Sequence, residues 1–157
     1  MNAQHHFQAT RRVEFVDTDM AGIVHFSSFF RYMEATEHAF YRSLDWLLST
    51  DGFEQDFGLP RVHATCDYWN PIRFEELVDI HLYVAHIGRS SLRYVFLFRS
   101  QDRDIARGEL SVVHVARDSK TGMKSAPLPA ELRTAIEVAP AGVIPPPRTT
   151  GDPPTSP

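Results

Sequence analysis

The spacing of apolar residues changes period along this chain. From Phe26 to Leu44, the residues Phe26, Phe29, Phe30, Met33, Phe40 and Leu44 fall near helical spacing and share one broad face, which predicts a helix over 26–44. Ser27 or Ser28 is expected to cap its first turn. Elsewhere the period is two. His6–Val16 alternates at Val13 and Phe15 and predicts a strand. The polar stretch Asp17–Gly22 after it reads as a turn, with Gly22 free to adopt a positive φ. A loop carrying Asp51-Gly52 and Gly58-Leu59-Pro60 follows the helix. Beyond it come four β-rich runs, Arg61–Trp69, Leu77–Ile87, Ser91–Ser100 and Ile105–Arg117. They are punctuated by Asn70-Pro71, Gly88 and Asp102-Arg103-Asp104. In the third run Leu92, Tyr94, Phe96 and Phe98 alternate with Arg93, Val95, Leu97 and Arg99. Pro129–Val138 reads as a short closing helix with Pro129 near its start.

The order is one strand, a long hydrophobic helix, then four antiparallel candidates. A helix this greasy is best buried by a sheet curled around it. The expected class is α+β: a single domain over residues 1–138, its long central helix wrapped by a five-stranded antiparallel sheet. Residues 139–157, APAGVIPPPRTTGDPPTSP, are rich in proline and lack large aromatic anchors. They are expected to form a disordered, polyproline-like tail.

Composition narrows the function classes. A formal charge of −4 over 157 residues argues against a general nucleic-acid binder, though not against a local cationic patch for a phosphorylated ligand. One cysteine, Cys66, cannot form an internal disulfide and reads as a small buried apolar residue. Residues Met1–Phe7 lack the charged start and apolar run of a secretion signal, and no run of ~18 apolar residues occurs. A cytoplasmic location without membrane insertion is expected. The eight histidines lack the tight spacings of a zinc site, so no metal and no cofactor are expected. Walker, dinucleotide-binding and Gly-x-Ser-x-Gly motifs are absent.

The segment Arg12–Phe29, RVEFVDTDMAGIVHFSSF, carries the most specific signal. A strand leads into Thr-Asp, two free positions, Gly, two aliphatics, a histidine and a phenylalanine. This pattern is similar to the signature of the 4-hydroxybenzoyl-CoA thioesterase family. The likeness extends more weakly across residues 8–136, through Tyr68-Trp69-Asn70-Pro71 and the turn Gly88-Arg89-Ser90-Ser91. The resemblance implies a hotdog fold, subunits paired with active sites at their interface, and hydrolysis of an acyl-CoA substrate. It implies that Asp19 is the catalytic carboxylate and that the backbone N–H of Phe26 polarises the thioester carbonyl. In one branch of the family a histidine occupies the position of Phe26; here the histidine, His25, stands one place earlier. His25 is therefore assigned to substrate contact, and Arg89, Ser90 and Ser91 to the nucleotide end of CoA.

The chemistry fits those residue types. Thioester hydrolysis needs a carboxylate nucleophile or an activated water, plus donors for the developing oxyanion. The leaving thiol is acidic, with a pKa near ~8.5, so a strong general acid is dispensable. Asp17 is expected to be structural, accepting backbone N–H groups. Phe29, Phe30 and Trp69 suit either an aromatic or a fatty-acyl pocket. The alternatives are a hotdog hydratase or dehydratase and a non-catalytic acyl-CoA-binding protein. The first needs His-Phe-Pro or Asp-x4-His, whereas His25-Phe26 precedes Ser27 and five residues separate Asp19 from His25. The second has no use for an acid at position 19. Open sheet edges predict at least a homodimer, with a homotetramer as the expected assembly.

Overall fold

The computed structural model describes residues 3–46 and 57–148. The expected loop residues Asp51 and Gly52 and the last nine residues of the tail lie outside them. Five strands form an antiparallel sheet: β1 (His6–Arg12), β3 (Arg61–Tyr68), β4 (Leu77–Ile87), β5 (Ser91–Ser100) and β6 (Arg103–Val113). Their spatial order is β1-β4-β5-β6-β3. Val78, Ile80, Leu82 and Val84 of β4 are buried at alternate positions, as are Leu92, Tyr94, Phe96 and Phe98 of β5. Residues two apart share a face, so this alternation builds the apolar side of the sheet.

The sixteen-residue helix α1 (Ser28–Ser43) packs on that side, burying Phe29, Tyr32, Met33, Phe40 and Tyr41. Fully burying each such side chain contributes about 1.5–3 kcal/mol. Gly108 in β6 permits the close approach, because a Cβ there would collide with the Met33 sulfur. Polar residues take part in this packing. Glu37 is buried, pairs with Arg61 of β3, and accepts from the Tyr41 hydroxyl at 2.9 Å; that hydroxyl also meets the Tyr94 hydroxyl at 2.9 Å. Burial raises the Glu37 pKa against the opposing pull of Arg61.

Several boundaries differ from the sequence expectation, each for a local reason. The first strand ends at Arg12, because Glu14–Asp17 folds into a 3-10 turn in which the Asp17 carboxylate accepts the Glu14 N–H at 3.0 Å. The run expected over 105–117 divides at His114. That residue donates its N–H to Ser90 and accepts from Ala126, leading the chain into a second sheet. This sheet, unforeseen in the sequence, orders β2 (Phe57–Gly58), β7 (Val115–Asp118) and β8 (Gly122–Ser125) as β2-β7-β8. The closing helix α2 is Ala130–Ala135. Of the segment expected to be a disordered tail, the described part, 139–148, is attached to the domain at its two ends. The Ala139 N–H donates to Val84 at 2.8 Å, and Arg148 reaches Trp69 and Asp104. Among the described residues no helix is long and apolar enough to cross a membrane.

Candidate active site

The loop between the 3-10 turn and α1 is held by its own backbone. Asp19 closes a tight turn: its N–H donates to Ile23 at 2.9 Å, its carbonyl accepts from Gly22 at 3.0 Å, and its Oδ1 accepts from Ala21 at 2.8 Å. Gly22 sits at φ +73°, where a side chain would be strained. Thr18 bridges Val24 and Ile23 bridges Arg73, fastening both loop limbs. The second carboxylate oxygen of Asp19 has no partner among the described residues.

Asp17 has a different environment. It is 3% exposed. Its carboxylate takes the Glu14 N–H, with Arg31 at 3.7 Å, while its carbonyl accepts the His25 N–H at 2.8 Å and the Ser28 hydroxyl at 3.0 Å. Asp17 thus ties the turn to the start of the helix.

The helix begins without the side-chain cap expected of it. Ser27 occupies the cap position but its hydroxyl meets His25 Nδ1 at 2.7 Å, and Ser28 points its hydroxyl at Asp17. Ahead of it, the Phe26 N–H donates to no acceptor among the described residues. The Phe26 carbonyl is fixed by the Tyr68 hydroxyl at 2.9 Å. An unpaired N–H at a helix start is available to an incoming oxygen, and the helix dipole favours negative charge there.

These groups share a cleft of about 440 Å³. Phe26, Phe29, Tyr68 and Trp69 supply aromatic walls, Ile23, Val24 and Ile72 aliphatic ones, and Asp19 lines it as well. Phe29 meets Tyr68 edge to face at 5.1 Å and Phe98 at 5.2 Å, which fixes its ring. Phe26 is 61% exposed despite its place on the apolar face of the expected helix.

Of the six residues singled out in the sequence, Asp19 and Phe26 line the cleft, and the His25 ring lies tilted at 34° against Phe26 with ring centroids 4.5 Å apart. Arg89, Ser90 and Ser91 do not join them within one chain. They form the β4–β5 turn, where Leu128 donates to the Arg89 carbonyl at 2.9 Å and Ser125 to the Ser90 hydroxyl at 3.0 Å. The eleven residues of β4 separate that turn from the Asp19 end of the sheet, a span of about 35 Å at strand rise. Phe30 belongs to another groove with Glu34 and Arg61. Tyr68 and Asn70–Ile72 were missed as site residues; their signal was the Tyr68–Pro71 likeness at a strand end. Burial pushes the Cys66 thiol up to about 12, so it stays protonated at neutral pH and is no thiolate nucleophile. Among the described residues no group of three or more His, Cys, Asp or Glu side chains is placed to hold a metal.

The chain matches the sequence model of the thioesterase-like superfamily over residues 13–136. It is 30% identical over 142 residues to a 1,4-dihydroxy-2-naphthoyl-CoA hydrolase of Synechococcus sp. (strain WH7803), covering 86% of this chain and 91% of that protein. Among solved structures it superposes on the 1,4-dihydroxy-2-naphthoyl-CoA thioesterase Slr0204 from Synechocystis with a TM-score of 0.76. The identity is 26%, over 83% of this chain and 95% of the other. A gentisyl-coenzyme A thioesterase superposes with a TM-score of 0.72 at 27% identity, over 83% of this chain and all of the other (100%).

Proposed function

The chain belongs to the thioesterase-like superfamily and is a thioester hydrolase, and from that premise we propose that it cleaves aromatic acyl-CoA thioesters using Asp19 and the Phe26 amide. The observation that carries this reading is that Asp19 and Phe26 line one aromatic cleft, and that among the described residues one Asp19 carboxylate oxygen and the Phe26 N–H have no hydrogen-bond partner. The Phe26 N–H receives the carbonyl oxygen as negative charge develops on it. Asp19 supplies the attack, either on the carbonyl carbon to give a mixed anhydride that water then hydrolyses, or through a water that it deprotonates. The carbon–sulfur bond breaks and CoA leaves as the thiolate, which then takes up a proton. A backbone donor of this kind accelerates such steps by about 10²–10³-fold.

Four aromatic walls favour a flat ring over a flexible chain, since ring–ring contacts add about 0.5–1.5 kcal/mol beyond area burial. The naphthoyl and gentisyl thioesters named for the relatives are of that type. The hydratase alternative gains no support from the cleft, which has no histidine among its described lining residues.

The distance between Asp19 and Arg89 calls for a second subunit. β3 is an edge strand exposed along nearly its whole length, and Phe15, Val16 and Met20 beside the Asp19 loop are exposed too. Register places Arg61 at the Ser91 end of the sheet and Tyr68 at the Asp19 end. Antiparallel pairing of β3 with its copy would therefore set Arg89 of the partner subunit near Asp19. There the guanidinium suits CoA phosphates, with Ser90 and Ser91 of the partner subunit beside it. The working unit is thus a dimer, and pairing of dimers gives the tetramer. Thiol release measured from acetyl-, hexanoyl- and benzoyl-CoA, with light scattering on the same sample, tests both parts. Benzoyl-CoA should have the highest kcat/KM in a species of at least dimer mass. A preference for hexanoyl-CoA, or full activity at monomer mass, overturns the corresponding part.

A further inference from the structure

Residues 139–148 end on a side chain that touches a wall of the cleft. Gly142 at φ +82° lies in a turn closed by the Val143 N–H on the Pro140 carbonyl at 3.2 Å, and Pro145, Pro146 and Pro147 follow. Such a run stays extended without internal hydrogen bonds and carries the next residue about 9 Å. That residue is Arg148. Its guanidinium carbon lies 4.0 Å from the centroid of the Trp69 ring, and its Nη2 lies 3.2 Å from Asp104 Oδ2. Asp104 is itself anchored: its Oδ1 accepts from Arg99 Nε at 2.8 Å and its carbonyl from the Asn70 amide at 2.7 Å. The Arg148 side chain is only 21% exposed, although the three prolines before it are exposed. A loosely attached tail would not bury its one cation.

We propose that Arg148 is a positioning residue that holds the Trp69 ring as a wall of the acyl cleft, so that the Pro-rich segment tunes which acyl groups are accepted. This rests on the reading of the cleft as the acyl site. The backbone of Trp69 is already tied to β6 by its N–H on Ile105 at 2.8 Å. Its ring still has side-chain torsions to settle, and a guanidinium over the face, held by Asp104, settles them. An aryl group resting on that wall feels it equally in the bound and transition states. Losing the wall therefore raises KM and leaves kcat nearly unchanged. An acetyl group is too small to use it.

The test compares Arg148→Ala, Arg148→Met and Arg148→Lys in the full chain with benzoyl-CoA and acetyl-CoA. In Ala and Met the KM for benzoyl-CoA should rise about three- to tenfold, the size expected for a partly buried cation–π contact. Acetyl-CoA parameters should stay put, and Lys, which keeps the charge without the planar fork, should recover part of the loss. With Trp46→Phe as the common background, acrylamide should quench Trp69 emission more strongly in Ala and Met than in wild type or Lys. Unchanged benzoyl-CoA KM in Ala and Met overturns the proposal, as does an equal rise for both thioesters or unchanged quenching. Should wild type hydrolyse neither thioester, the functional reading fails. Binding followed by Trp69 quenching then decides the wall: weaker benzoyl-CoA binding in the Ala variant supports it, and equal binding overturns it.

Discussion

Replacing Phe26 by proline removes one atom of interest, the amide hydrogen at the start of α1. The position tolerates that loss in hydrogen-bond terms, because the Phe26 N–H serves no protein acceptor among the described residues and the next N–H, of Ser27, is occupied by His25 Nδ1 at 3.3 Å. Phe26→Ala serves as the reference, since it also removes the ring from the cleft but keeps the N–H. The difference between the two variants is then the donor itself. Losing one well-placed oxyanion donor costs about 2.7–4 kcal/mol, or about 10²–10³ in kcat. The donor acts on charge that develops in the transition state, so KM should differ little between Phe26→Pro and Phe26→Ala. The assay is thiol release under saturating benzoyl-CoA, with thermal melts to establish that both variants fold. If the folded proline variant turns over within about fivefold of the alanine variant, far short of the effect of a lost oxyanion donor, the amide is not the oxyanion donor and the reasoning fails.

Asp17→Asn should lower stability and leave turnover within a few-fold. Its buried carboxylate accepts the Glu14 N–H through one oxygen and lies 3.7 Å from Arg31 through the other. Asparagine keeps only one oxygen and turns an NH2 donor toward the other partner, which costs about 1–3 kcal/mol, a Tm fall of about 3–10 °C at this chain length; an unchanged Tm would refute the structural role. Acid should also weaken the fold through His6 and His81, whose rings meet at 3.1 Å. Burial lowers both pKa values, aided by His81 acting on His6 and by Arg99 acting on His81, with Asp79 opposing at His81. The unfolded chain then binds protons near ~6.5 that the folded chain resists, so stability is full above that pH and falls as the pH drops through it. Melts from pH 8 to 5 should show a shallower decline for His81→Asn than for wild type, and equal slopes would contradict the assignment.

Strands β4 and β5 were legible because their apolar periods are clean, and Leu77–Ile87 and Ser91–Ser100 are observed as expected; helix α1 was legible within a few residues of its ends. What the pattern hid were polar residues doing apolar work. Glu37, Thr36 and Tyr41 break the apolar stripe of α1 yet are buried, because Arg61 and Tyr94 satisfy Glu37 and Tyr41 across the sheet and Thr36 bonds the Tyr32 carbonyl at 2.8 Å. Phe26 misled in the opposite sense, since it sits on the stripe but stops short of the helix and faces the cleft. Asp19, which lines the cleft, lies within the motif segment Arg12–Phe29. The cleft walls Tyr68 and Trp69 stand more than forty residues away, brought close only by the pairing of β3 with β6. Arg148 was invisible for a simpler reason: composition weighs prolines against order, and a single arginine reaching an indole face leaves no trace in it.

The central claim is that the Asp19 carboxylate performs the chemistry. Asp19→Asn keeps the size of the side chain and an oxygen for the Ala21 N–H, and removes the charge needed for attack or for activating water. Thiol release from benzoyl-CoA should fall by about 10²–10⁴-fold, while the binding of benzoyl-CoA, followed by tryptophan quenching, weakens far less. Turnover within a few-fold of wild type in a correctly folded Asp19→Asn variant would contradict the account.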